Sequence, residues 1–237
     1  MTEVVLRAEG VGKRFGGFTA LGGVELEVRA GERLGLIGPN GSGKSTFTNC
    51  LAGAFPSHDG AFTFKGAPLA GLKSHERARR GLARTFQLPR PFRGLSVVDN
   101  IRVPLAYGNR HDMSDARAME CLEGVDLAGK ADRMPRELTQ VELRRLELAR
   151  ATALRPDLLI ADEVMAGLSH AEVDQILALL LRLNAGGTTI IMIEHVMRAV
   201  TEFSQRIAVL VAGKKVADGD PAAVLAMPEV EEAYLGR

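Results

Sequence analysis

Apolar and polar residues alternate over residues 24–28 (VELEV), a period of two that predicts a strand with one face buried. Residues 4–8 and 33–37 read as two further short strands, with glycine turns between the three, and 61–64 as a fourth. From about residue 74 to 153 the pattern turns helical, broken by Pro89, Pro91, Pro104 and Pro135. Apolar, β-rich runs then return at 158–161, 188–193 and 207–211, with a leucine-rich helix at 171–183 between the first two. A mostly helical block between two strand-bearing blocks predicts an α/β core with a helical insertion. Neither an internal repeat nor a low-complexity linker interrupts it.

Composition narrows this picture. The 237 residues are 46% hydrophobic, ample for a buried core in one large domain or two small ones. Thirty basic residues against twenty-nine acidic give a net charge of +1, so no global field recruits nucleic acid or anionic lipid, and a nucleic-acid partner is not expected. Cys50 and Cys121 have no metal-ligand spacing, and the start MTEVVLRAEG lacks the basic-then-apolar layout of a signal peptide. A cytoplasmic protein with reduced thiols is the expectation. The apolar runs fall far short of the roughly 20 residues of a membrane helix, so membrane association is expected only through a partner.

The strongest chemical signal is GPNGSGKST: Gly38, Pro39, Asn40, Gly41, Ser42, Gly43, Lys44, Ser45 and Thr46. Gly38-x-x-x-x-Gly43-Lys44-Ser45 follows the apolar run at 34–37 and precedes a helix-compatible stretch at 46–51, the context in which backbone N–H groups cradle phosphates. The helix N-terminus adds partial positive charge, Lys44 reaches the β and γ phosphates, and the Ser45 hydroxyl ligates Mg²⁺. A chance match in a chain this long is on the order of one per cent, so a plain glycine-rich turn is the weaker reading. A second site is LLIADE at 158–163, an apolar strand ending in two carboxylates at the edge where parallel sheets bind ligands. Alone, a strand ending in a solvated acid is ordinary. Behind a phosphate loop, Asp162 is expected to hold Mg²⁺ through water and Glu163 to polarise the attacking water.

Phe15, the phosphate loop, Gln87 in ARTFQLPRPF, the helix opening Leu138-Thr139-Gln140-Val141-Glu142, Asp162-Glu163, AGLS at 166–169 and His195 in MIEHVM follow one another in an order that resembles the ATP-binding cassette ATPases across essentially the whole chain. VGKRFGGFTAL, ARTFQ, RRLELARA, AGLS and the tail GDPAAVLAMPEVEEAYLG are most similar to the ATPase subunits of branched-chain amino acid importers. The resemblance implies a P-loop NTPase of ABC type: a mixed sheet core with an antiparallel β-subdomain and an inserted helical subdomain. Residues 1–237 then form a single domain, with about 1–85 and 155–237 as core and β-subdomain and about 86–154 as the helical part. It also implies that Phe15 stacks on adenine, that Gln87 contacts Mg²⁺ or water, that residues 88–100 meet a transmembrane partner, and that His195 holds the γ phosphate. Taken singly, these three side chains read as a packed aromatic, a loop amide and a satisfied strand-end histidine.

The chain departs from the family pattern in three places. Ser169 replaces a usual aspartate and Val164 a common proline, and residues 138–142 stand where the family has LSGGQ. That segment caps the nucleotide of the opposite subunit in the family. Val141 places a branched side chain where glycine admits phosphate, and a lost transition-state donor costs about 10² to 10³ in rate by analogy with oxyanion holes. Glu142 brings negative charge, and two unit charges about 6 Å apart repel by roughly 3 kcal/mol at an effective dielectric near 20. Thr139-x-x-Glu142 ahead of an apolar helical run is equally a capping box, and both readings stand.

The implied activity is Mg²⁺-dependent ATP hydrolysis, with ATP and Mg²⁺ as cofactors, Glu163, His195 and Lys44 as catalytic groups, and Ser45, Gln87 and Asp162 toward the metal. The implied partners are a second copy or a paralogue paired head to tail, permease subunits, and through them an extracytoplasmic substrate-binding protein; the implied location is the cytoplasmic face of the plasma membrane. A nucleotide-gated structural subunit that barely hydrolyses and the ATPase of a lipid or polysaccharide exporter are the alternatives. A soluble factor for translation or repair fits less well, lacking a second cassette or long insertion.

Overall fold

The computed structural model describes residues 3–86, 88–108 and 114–235. Strands β1 (Val4–Phe15) and β2 (Phe18–Arg29) form a hairpin much longer than the runs the periodicity predicts. Its ladder shifts register between Ala8 and Val11 and again between Val11 and Gly12. Each bulge resets which face a residue occupies, which hides the period of two from a reading of sequence. Strand β3 (Arg33–Ile37) leads through a loop into helix α1 (Lys44–Leu51), and β4 (Asp59–Phe64) with the short β5 (Ala67–Pro68) completes an antiparallel sheet in the order β2-β1-β4-β5.

Helix α2 (Ser74–Arg79) precedes β6 (Leu82–Arg84), a strand inside the stretch that reads as helical. Three residues are too few to show a period, and β6 exists because it pairs with a parallel neighbour far along the chain. Helices α3 (Val97–Tyr107), α4 (Asp115–Glu123) and α5 (Gln140–Thr152) form the helical block. Pro104 lies within α3 instead of ending it: the Ser96 side chain caps the helix by accepting the Asp99 N–H, and Val97, Ile101 and Leu105 bury its inner face.

The expected strands and leucine-rich helix follow as β7 (Leu158–Asp162), α6 (His170–Ala185), β8 (Thr189–Ile193) and β9 (Arg206–Val211), joined by α7 (Met197–Phe203), β10 (Lys214–Gly219), α8 (Pro221–Leu225) and α9 (Pro228–Leu235). The second sheet runs β10-β9-β3-β8-β7-β6, parallel from β9 to β6 with β10 antiparallel at its edge. Its strands alternate between two cores. Leu34, Leu36, Leu158, Ile160, Ile191 and Ile193 pack toward α1 and the antiparallel sheet, whereas Leu159, Ala161, Ile190 and Met192 pack toward the helices. A sheet buried on both faces needs continuous apolar strands, and LLIA and TIIMI are such runs. Because β8 lies between β3 and β7, the carboxyl ends of these three strands are neighbours, at the edge where α/β sheets hold ligands.

Phe47 anchors α1 to this arrangement. It is fully buried and meets Phe62 of the antiparallel sheet edge to face at 5.4 Å. Phe47→Ala is expected to cost about 3–5 kcal/mol, measured as a lower urea midpoint with an unchanged slope.

Candidate nucleotide-binding site

The loop from Gly38 to Gly43 joins the end of β3 to α1 and is tied to the β9–β10 turn, where Gly213 donates its N–H to the Ser42 carbonyl at 2.9 Å. Gly38 (φ +149°) has no room for a side chain, since a Cβ there would lie 2.1 Å from the Leu210 carbonyl oxygen. Gly43 is equally constrained, with φ +103° and the Ala20 carbonyl oxygen 2.7 Å from any added Cβ. Both glycines are thus required by the protein's own backbone as well as by an incoming phosphate. Ser42 is buried, while Asn40, Gly41 and Ser45 are exposed at the loop surface.

Lys44 is 6% exposed. Its ammonium donates to the carbonyls of Gly38 at 2.6 Å and Pro39 at 3.0 Å and to the Ser42 hydroxyl at 3.4 Å. Burial lowers its pKa, and the charges of Glu163 and Asp162 pull it back up. A buried cation held only by neutral oxygens, at a helix start behind exposed backbone, fits a polyphosphate. The hard oxygens of Ser45 and Asp162 fit Mg²⁺. Among the described residues no group of three or more His, Cys, Asp or Glu could hold a metal. An ion placed here therefore takes most of its oxygens from phosphate and water.

Asp162 ends β7 and is 5% exposed. Its Oδ2 accepts from Arg84 Nη2 at 2.7 Å, and Arg84 Nη1 donates to Asn49 Oδ1 on α1 at 2.6 Å. Thr85 Oγ1 accepts the Asp162 N–H at 3.0 Å. Strand β6 thus holds the carboxylate while one of its oxygens is committed to Arg84. Glu163 follows with φ +49°, a left-handed conformation unusual for a non-glycine residue, and donates its N–H to the Ile193 carbonyl at 2.9 Å. His195, just past β8, places Nε2 3.2 Å from Glu163 Oε1. The structure therefore brings Lys44, Asp162, Glu163 and His195 to one edge of the sheet.

Sequence reasoning missed Arg84, Arg144, Lys130 and Glu194. Glu194 is 2% exposed and accepts the Met165 N–H through Oε1 at 2.8 Å. Burial, reinforced by the nearby Glu163, pushes its carboxyl up to about 7, against opposing bonds from the Met165 and His195 amides and the Arg144 charge. The available signal was a glutamate closing a fully apolar strand. That signal cannot be told from a solvated strand end until the strand's neighbours are known.

Of the other expected positions, Phe15 sits at the end of β1, 48% exposed, edge to face with Phe55 at 5.5 Å. Thr46 lies in the first turn of α1. Gln87 lies outside the described residues. Ser169 precedes α6, and its hydroxyl and N–H both bond Glu172. In the segment 138–142, Leu138 is buried, Thr139 and Gln140 are exposed, and Val141 packs partly against the helical core. Glu142 Oε2 accepts the Thr139 N–H at 2.9 Å, and its Oε1 is ion-paired with Lys130. The capping box is formed. The carboxylate is folded back and neutralised, and Lys130, its hydrogen bond and the Thr139 amide outweigh burial to lower its pKa.

The fold and these groups define a cassette-type nucleotide-binding subunit. Residues 21–166 match the family model described as ABC transporter, and the chain belongs to that family. It is 38% identical over 253 residues to the high-affinity branched-chain amino acid transport ATP-binding protein LivG of Salmonella typhimurium, covering 100% of this chain and 99% of that one. Among solved structures it resembles the ADP conformation of an ATP-binding cassette of an ABC transporter, with a TM-score of 0.90, 30% identity and 100% of both chains covered. It also resembles a dimeric post-hydrolysis cassette bound to ADP and Pi, with a TM-score of 0.82, 27% identity and 91% and 98% of the two chains covered.

Glu194 has a consequence for stability. Its folded pKa of about 7 exceeds the ordinary 4.5, so its contribution is present below about pH 4.5 and is lost as pH rises through about 7. The unfolding free energy of wild type relative to Glu194→Gln should therefore fall by about 3 kcal/mol across that window and then level off. Urea titrations at a series of pH values measure it; a flat difference from pH 5 to 8 would contradict the shifted carboxyl.

Proposed function

We propose that this chain is the Mg²⁺-dependent ATPase subunit of an ABC importer, taking up branched-chain or other amino acids. The observation that carries the reading is the Lys44 ammonium within electrostatic reach of both Asp162 and Glu163, behind a loop in which Gly38 and Gly43 leave no space for side chains. The substrate class rests on the likeness to LivG across the full length of both chains.

In this mechanism the loop amides of residues 38–46 and the Lys44 ammonium bind the phosphates, and Lys44 leaves its carbonyl contacts to do so. Phe15 packs on adenine. Ser45 and Asp162, with Gln87, would hold Mg²⁺, which would neutralise phosphate charge when bound. Glu163 accepts a hydrogen bond from the attacking water and orients it, and His195, in reach of the same carboxylate, donates to the γ phosphoryl oxygens. The helix opening at residues 138–142 faces the nucleotide of a second subunit, a copy or a paralogue paired head to tail, through the exposed Thr139 and Gln140.

The permease subunits dock on a groove of about 350 Å³ lined by Ala54, His75, Ala78, Phe86, Pro104 and Leu154. Phe86 of this lining is half exposed, and Leu88 and Phe92, which follow it in the chain, are 71% and 42% exposed, large apolar side chains left open to a partner. No helix among the described residues is long and apolar enough to cross a membrane, so attachment runs through this contact to the cytoplasmic side of the permease. A substrate-binding protein acts only through the permease.

Glu163→Gln should retain ATP binding and lose turnover; unchanged hydrolysis in that variant removes Glu163 from its role. The folded-back Glu142 and the packed Val141 favour a competent signature over the hydrolysis-poor alternative. Returning positions 141 and 142 to the family residues with Val141→Gly and Glu142→Gln should therefore raise steady-state turnover by less than about tenfold, well short of the loss from a missing transition-state donor. Turnover seen only in the restored variant would mean that the chain depends on a paralogue.

A further inference from the structure

The turn after Glu163 is held at two successive residues, 165 and 166, by buried ionisable side chains from two different parts of the chain. Glu194, at the end of β8, accepts the Met165 N–H at 2.8 Å. Arg144, on α5, donates Nη2 to the Ala166 carbonyl at 3.1 Å. The two residues are 2% and 4% exposed. Burying a carboxylate and a guanidinium is costly, and apolar side chains of similar volume fill a core at lower cost. The bonds at 2.8 and 3.1 Å run to main-chain atoms of this turn, which a merely apolar filling could not hold.

What the turn carries is the second observation. Glu163 adopts φ +49° and meets His195 Nε2 at 3.2 Å. A non-glycine residue in that region is held at a cost of order 1–3 kcal/mol and persists only where its surroundings over-determine it. The Ile193 carbonyl fixes the Glu163 amide from one side, and residues 165 and 166 are pinned from the other.

We propose that Arg144 and Glu194 are positioning residues that clamp the 163–166 turn, so that Glu163 keeps its left-handed backbone and its carboxylate stays against His195. This rests on the reading of Glu163 as the group that orients water. The electrostatics agree with the geometry, since Arg144 is attracted first by Glu194, then by Glu147 of its own helix and by Glu163. The clamp also has a structural corollary. Arg144 lies two residues beyond Glu142, so the helix that opens at residues 138–142 is tied directly to the turn of the chain's own Glu163.

The test compares steady-state ATP hydrolysis with equilibrium binding of a fluorescent ATP analogue, mant-ATP, in the purified full chain. Arg144→Met and Glu194→Met should lower kcat by about 10²-fold, the scale of a small misplacement, while Kd for mant-ATP moves less than about threefold. Glu194→Gln keeps an acceptor for the Met165 N–H and should retain turnover to within about fivefold. Arg144→Lys preserves the charge without the planar fork and should still lose kcat, which tests the clamp if the methionine variants do not fold. Wild-type kcat in folded Arg144→Met and Glu194→Met, or in Arg144→Lys, overturns the proposal, as does a parallel loss of binding and kcat. Glu163→Gln, assayed alongside, separates the two failures. If it hydrolyses like wild type, the reading of Glu163 fails; if it is inactive while the clamp variants turn over normally, the clamp alone fails.

Discussion

A full ammonium group sits below the protein surface at the start of α1, held by two main-chain carbonyls and a hydroxyl of its own loop. Burying a cation with neutral partners leaves much of its charge unanswered, and the lowered pKa of Lys44 expresses that deficit. The rest of the site follows from this tension. The loop must wrap tightly enough for its carbonyls to reach Lys44, which forces Gly38 against the Leu210 carbonyl and Gly43 against that of Ala20. It must also be anchored, which the β9–β10 turn does through Gly213. The negative charges that partly answer Lys44 arrive from β7, one strand beyond β8, because the sheet order places those strand ends side by side.

The same edge treats its carboxylates in opposite ways. Asp162 is buried beside the Arg84 guanidinium, whose second nitrogen is fixed to Asn49 of α1, so this charge is paired and aimed. Glu194 has no such ion pair among the described contacts and relies on two amides and the more distant Arg144, so burial dominates and its pKa rises. Between them Glu163 is partly exposed, in contact with His195 and strained at its backbone. On the proposed roles, a carboxylate that orients water has to stay accessible, whereas the groups proposed to hold its turn can be sealed away. The order of burial along residues 162, 163 and 194 fits that division.

Much of this was legible in the sequence, for identifiable reasons. GPNGSGKST carries its own chemistry, since glycine spacing and a lysine ahead of a helix have few other uses. LLIA and TIIMI read as doubly buried strands because both faces require apolar residues. Thr139 and Glu142 announced a capping box, which the structure contains. The long β1–β2 hairpin did not show itself, because bulges near Ala8 and Val11 break the alternation. Neither did β6, a strand defined wholly by its pairing with β7. Arg84, Arg144 and Glu194 were invisible for one shared reason. Each acts through a partner 22 to 78 positions away, and a single sequence carries no record of which distant residues meet.

The altered signature shows how a local rule and a functional constraint can be met by the same side chain. A free glutamate at position 142 would set its charge against a second subunit's polyphosphate. The capping geometry turns it backward, one oxygen on the Thr139 amide and the other on Lys130. Helix initiation therefore consumes the charge that threatened nucleotide binding, and Lys130 supplies a counter-charge from outside the helix. Val141 points partly into the helical core, so its branch adds packing without standing alone at the surface. The exposed residues at the helix start are Thr139 and Gln140, both uncharged, and the positive end of the α5 dipole lies behind them. The departures at Val141 and Glu142 thus leave an uncharged, exposed helix start at this surface.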